Sequence, residues 1–110
     1  QVGGAALMKY SDETMKEDIK PISGKAALSA IENVDASTWK YKADSAANDG
    51  GKTHAGPMAQ DMNRVLGDAV APGGKMINIA AESGVQHAAI KEIAKRMGRI
   101  EKKIGLAHAA

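Results

Sequence analysis

A chain of 110 residues is enough for one domain with one modest core, and too short for two. Its 44% apolar and 25% charged residues are the balance of a folded protein, and a net charge of only +2 does not call for a nucleic-acid or membrane partner. Without cysteine there are neither disulfides nor thiolate metal sites, and no run approaches the roughly 18 apolar residues of a membrane-spanning helix.

Aromatic residues are scarce: Tyr10, Trp39 and Tyr41, with no Phe. Ala, Met and Ile must therefore fill the interior, which is thin for a monomer and points to burial between subunits. The chain opens at Gln1 without an initiator Met, a charged n-region or a full apolar stretch, and reads as a piece of something longer.

Residues 1–10 form a Gly/Ala-rich lead-in that ends at Lys9 and Tyr10, and the domain proper is expected over 11–110. Ser11 to Ile22 is polar and extended in character, closed by Pro21. Ser23 is a good N-cap for a short helix with Leu28 and Ile31 on one face, ending at Val34 and Asp35. Residues 37–42 alternate, with Trp39 and Tyr41 on one face and Lys40 and Lys42 on the other, which predicts a half-buried strand. Ala46 to Lys52 is a turn joining it to an antiparallel return strand over 53–58, where Pro57 restricts that strand to an edge or an end.

A second helix is predicted at about Ala59–Leu66, with Met62, Val65 and Leu66 as its apolar positions. Gly67 and Pro72-Gly73-Gly74 break the chain, and 76–79 reads as a brief strand. The final segment, about 81–106, is one long helix. The fold class is therefore α+β: a small antiparallel sheet, short helices and a long C-terminal helix.

That last helix carries the clearest periodic signal. Ile90, Ile93, Met97, Ile100 and Ile104 are spaced 3, 4, 3, 4, a heptad seam with a at 90, 97 and 104 and d at 93 and 100. Ile at both positions disfavours two strands and shifts preference to three or four, so a parallel trimeric coiled coil is expected. The register sets Arg96 at g against Glu101 at e of a neighbouring subunit. The plainer alternative is an amphipathic helix packed on its own domain. The basic run from Lys91 to Lys103 has six cations and two anions but no base-stacking aromatics, which fits a solvated face better than a nucleic-acid helix.

Four segments line up, in order, with a known family. Ser11, Asp12, Met15, Lys16, Ile19, Pro21 and Ile22 resemble, in their spacing, the opening signature of the intramolecular chaperone auto-processing domain, the S74 peptidase family. Trp39-Lys40-Tyr41-Lys42 resembles its aromatic-basic strand, and His54, Gly56, Ala59, Gln60 and Asp61 are similar to its internal block. Ala88 to Ile93 resembles the start of its coiled-coil helix.

The family occurs at the C-termini of phage endosialidase tail spikes, tail fibres and neck appendages, and in some membrane-bound eukaryotic transcription factors. Its members trimerise, help an upstream stalk fold, and then cut the chain before the signature serine. The resemblance implies a homotrimer, a partner stalk in the same chain, and a virion-tail protein made in the host cytoplasm. It also implies a scissile bond between Tyr10 and Ser11, with Ser11 and Lys16 as a Ser–Lys dyad and no cofactor. The basic residue usual three positions after that serine is replaced here by Thr14.

A serine hydroxyl needs a base, and none of His54, His87 or His108 lies in a recognisable catalytic motif, which leaves Lys16. At pH 7 an unperturbed lysine amine is free in only about one molecule in 2,500, so a lysine base requires desolvation or neighbouring cations. Five residues of regular strand or helix do not bring Ser11 and Lys16 together. Either the segment bends sharply or Lys16 arrives from another chain. Asp12 either orients Lys16 or caps a turn. His54 either donates to a developing oxyanion or makes a structural bond at a strand end. Gln60 and Asp61 are read as caps of the second helix, with a site role as the alternative. His87 and His108 lie 21 residues apart with no partner motif for a metal, and the glycine pairs at 50–51 and 73–74 are turns rather than a phosphate loop.

Overall fold

The computed structural model describes residues 8–105. Among them are three α-helices and one two-stranded antiparallel sheet: α1 (Gly24–Glu32), β1 (Ala36–Trp39), β2 (His54–Pro57), α2 (Ala59–Leu66) and α3 (Ile79–Lys103). The chain is α+β in the expected element order. The lead-in residues 1–7, the expected last helical residue Leu106 and His108 lie outside the described residues.

Helix α1 begins where Ser23 Oγ accepts the Ala26 N–H at 3.1 Å. It ends at Asn33, whose side chain donates to the Ser29 carbonyl at 2.7 Å. Its inner face is alanine: Ala27 and Ala30 are buried, with Leu28 and Ile31 packed at the margin. This face lies on the first half of α3, where Val85 and Ala89 are buried. Small side chains let the two helices approach closely. At Gly24 a methyl group would stand 3.0 Å from Glu92 Oε1, 3.1 Å from its Cβ and 3.3 Å from the Ala88 carbonyl.

The sheet pairs Ala36 with Pro57 and Trp39 with His54. β1 stops at Trp39, so the regular strand is shorter than the alternation over 37–42 predicts. Residues 40–53 between the strands make successive polar turns, and Gly50 and Gly51 both sit at φ near +84°, a backbone region that disfavours any side chain. Pro57 closes β2, where a missing N–H costs the ladder nothing.

Helix α2 buries Met62. Gln60 and Asp61 do not cap it, contrary to the sequence reading. Met58 holds the N-cap position with no side-chain bond, Gln60 is exposed, and Asp61 sits in the first turn 3.7 Å from Arg64. An acid there favours the helix dipole without capping it. Past Gly67 the chain doubles back and inserts Val70 and Ala71 into the core. Asn63 Nδ2 fixes that return by donating to Asp68 Oδ1 at 2.7 Å and to the Ala71 carbonyl at 2.9 Å.

The brief strand expected over 76–79 does not form. Asn78 instead caps α3, its Oδ1 accepting the Ala81 N–H at 3.0 Å, while its own N–H reaches the Val70 carbonyl at 2.7 Å. Among the described residues no strand pairs with it, and an Asn followed by Ile-Ala-Ala-Glu is a helix start. Ile79 thereby becomes the first residue of α3.

The core is small. Among the described residues the buried ones are Ala27, Ala30, Met62, Val70, Ala71, Val85 and Ala89, and no large side chain there is fully buried. Ile90, Ile93, Met97, Ile100 and Ile104 stand between 47% and 65% exposed along the second half of α3. The radius of gyration is 17.7 Å, against about 13 Å for a compact chain of this length. An elongated chain with an alanine interior rests on the close α1–α3 approach. Gly24→Val is therefore expected to destabilise the domain by roughly 1–3 kcal/mol through overpacking. Gly84→Ala, in the same helix pair but with open space around it, should stabilise by up to about 1 kcal/mol. Denaturant midpoints at one fixed protein concentration check both signs.

Candidate active site

The arm that precedes α1 folds locally around one carboxylate. Asp12 Oδ1 accepts the Thr14 N–H at 2.9 Å and the Thr14 hydroxyl at 2.8 Å, and so caps a single 3-10 turn over Glu13–Met15. These bonds, the hydroxyl first, hold the Asp12 carboxyl below its ordinary value of 3.8. Backbone bonds from Met15 to the Asp12 carbonyl and from Lys16 to the Glu13 carbonyl complete the turn, at 3.0 and 3.1 Å. The chain leaves it extended at Lys16, with φ −117° and ψ 153°.

The turn supplies the sharp bend that a regular strand or helix lacks. Lys16 Nζ donates to Ser11 Oγ at 2.8 Å within one chain. Asp12 makes no hydrogen bond or ion pair with Lys16; its place is the turn cap. Thr14 spends its hydroxyl on Asp12. Every residue from Met8 to Ser23 is exposed, including the serine and the lysine. Tyr10 is 86% exposed, and Met15, Ile19 and Ile22 also face solvent.

The other residues singled out by sequence lie in the hairpin and α2. His54, opposite Trp39 in the sheet, stacks on the indole with ring centres 4.8 Å apart, and Tyr41 packs edgewise on Trp39 and tilted against His54. One ring nitrogen of His54 lies 2.6 Å from Asp49 Oδ2. That bond is the main cause holding the Asp49 carboxyl below its ordinary value of 3.8. His54 thus makes the structural bond at a strand end that one of its two readings required. Among the described residues no hydrogen bond or ion pair joins the Ser11–Lys16 pair to His54, Gln60 or Asp61.

Sequence reasoning passed over Asp49, which it placed in an ordinary turn. The available signal was an Asp just before Gly50-Gly51, five residues ahead of a strand-end His. On α3, Arg96 Nε donates to Glu92 Oε2 of the same chain at 2.8 Å, so a contact with Glu101 of another subunit would compete with that bond. No helix among the described residues is long and apolar enough to cross a membrane.

Fold and geometry together define a small α+β module that carries a hydrogen-bonded Ser–Lys pair on an exposed arm ahead of its core. The chain belongs to the peptidase S74 family, the chaperones of endosialidase, whose family model matches residues 11–71. The match opens on the serine of the pair and closes at Ala71, before α3 begins. No curated protein matches the chain.

The hairpin bond has a pH signature. A carboxyl whose folded pKa is depressed contributes stability above its unfolded value and loses it as pH falls through the folded one. Below pH 3.8 the unfolding midpoint of the native protein should fall more steeply than that of Asp49→Asn, which has no such proton to take up. Urea titrations at stepped pH check the difference in slope.

Proposed function

We propose that this domain is a C-terminal intramolecular chaperone of a phage tail spike or fibre. Three copies associate through α3, hold an upstream stalk in alignment while it folds, and then release it by cutting between Tyr10 and Ser11. The domain would run from Ser11 onward, with residues 1–10 the end of the stalk. The observation that carries this reading is the 2.8 Å contact between Lys16 Nζ and Ser11 Oγ, at the first residue of the matched family segment. The half-exposed ridge Ile90, Ile93, Met97, Ile100 and Ile104 supports association, because one chain leaves it without cover.

The chemistry follows from having the nucleophile beside the bond it cuts. With Lys16 neutral, its amine accepts the Ser11 hydroxyl proton as Oγ attacks the Tyr10 carbonyl carbon through a five-membered ring. The Tyr10–Ser11 C–N bond breaks, Lys16 returns the proton to the Ser11 nitrogen, and an ester links Tyr10 to Ser11 Oγ. Water activated by the same amine hydrolyses that ester, leaving a Tyr10 carboxylate and a Ser11 with free amine and hydroxyl. Each chain reacts once. In a single chain the arm that carries the pair is exposed along its whole length. A neighbouring subunit that covers the arm excludes water from it and switches the base on.

A second reading has its own observation. Thr14, in place of the usual cation, is bound to Asp12 and adds no positive charge beside Lys16. In that reading the domain is a trimerisation cap that stays on the fibre tip uncut.

Mass spectrometry of a chain extended by its upstream stalk separates the two. The native protein should yield a fragment beginning at Ser11, and Ser11→Ala and Lys16→Met should remain whole. An uncut native chain supports the cap. Because the pair forms within one chain, mixed trimers of Ser11→Ala and Lys16→Met subunits should also stay uncut, and cutting in the mixture would place the dyad between chains. Ile100→Glu, which charges the ridge, should abolish both trimer and cleavage by sedimentation and mass, and full cleavage in a proven monomer would overturn the activation scheme.

A further inference from the structure

The start of α3 at Ile79 lengthens the heptad pattern. Counting back from a at Ile90 and d at Ile93 places Gln86 at d, Ser83 at a and Ile79 at d. All three are exposed, Ile79 at 77%. They continue the heptad positions of Ile90 to Ile104, with Gln86 at the margin where it also borders, beside Val85, a cavity next to Val34 and Met62, while Val85 and Ala89 are buried in the core. The stripe therefore runs from the first residue of α3 to its C-cap, Ile79–Ser83–Gln86–Ile90–Ile93–Met97–Ile100–Ile104. Its apolar sequence is broken only by Ser83 and Gln86. Among the described residues neither of those side chains has a hydrogen-bond partner within its own chain.

We propose that Ser83 and Gln86 form the register key of the assembly. The partners are two further copies of this chain, and the inference rests on the trimer proposed above. In register, three Gln86 amides meet around the axis, each able to donate to the next chain's carbonyl oxygen, with three Ser83 hydroxyls one layer away. A slip of one heptad sets Gln86 of one chain against Ile93 of another and Ser83 against Ile90. The amide is then buried without a partner, and that cost falls on the misaligned state alone. A purely isoleucine stripe has no such discrimination, because every heptad looks like the next. One buried polar side chain in the seam of a coiled coil is a known means of fixing register and strand number at some cost in stability. A domain whose task is to align three chains has use for it.

The chain has no cysteine, so Lys102→Cys, at an outer position of α3, takes a single spin label per subunit of the full chain. A slip of seven residues displaces labels by about 10 Å along the axis. With Gln86 native, one narrow distance distribution is expected. Gln86→Ile should raise the thermal midpoint by several degrees and add a second population at longer distance, or a change in subunit number. Gln86→Asn should keep the single distance. If Gln86→Ile stays a trimer with one unchanged distance, or if the native protein already shows two, the register key is wrong and the trimer stands. If the native protein sediments as a monomer, the trimer itself is wrong and the key falls with it.

Discussion

Close contact between α1 and the first half of α3 is the constraint on which the remaining structure depends. It is made by glycine and alanine, so it brings backbones together while burying little side-chain surface. Fully burying a large aliphatic side chain contributes about 1.5–3 kcal/mol. In this chain the residues able to contribute most, the isoleucines of α3, lie on a different face from Val85 and Ala89. The α1 contact therefore does two things at once. It gives the domain its fold, and it turns α3 so that the ridge faces away from its own core. Were larger side chains present at Gly24 or Ala27, α3 would stand farther off and the small core around Met62, Val70 and Ala71 would open.

Much of this architecture was legible in the sequence because local rules carried it. Ser23 announced α1 through its cap, Met62 and its neighbours marked α2, and the isoleucine spacing marked α3. Prediction failed where tertiary context outweighed a local pattern. The alternation of Met76 to Ile79 reads as strand, but with no partner strand the decisive feature was Asn78, whose side chain starts a helix and whose N–H ties to Val70. Gln60 and Asp61 sit at positions rich in caps, yet they lie inside the first turn rather than before it. Asp49 was invisible because its role depends on a hairpin register that places His54 beside it.

The site shows the same division. The family resemblance pointed to Ser11 and Lys16, and their spacing excluded regular structure as the means of joining them. What pattern alone did not reveal was the joining device, a single 3-10 turn capped by Asp12 through Thr14. Thr14 is thus a working part of the turn. The turn keeps the pair close without burying it, which separates two requirements of a lysine base, proximity and dryness. The first is met locally by five residues.

Dryness has no such local source. The whole arm from Met8 to Ser23 is exposed, yet it carries Tyr10, Met15, Ile19 and Ile22, apolar side chains poorly suited to standing in water. In the proposed reading these and the α3 ridge are two parts of one unmet need for cover. A base that works only when covered cannot act before assembly, so the order of events follows from solvation rather than from a separate signal. In the same reading, cutting after assembly also removes the element that pairs the three chains. The stalk, once folded, is then held by the height of its unfolding barrier, with no attached seed through which to reopen. The polar layers proposed for α3 would belong to the same logic, since a trimer that closed out of register would fix a misaligned stalk irreversibly. In that reading alignment is decided before the amine is dried, by chemistry on α3 distinct from that of the cut.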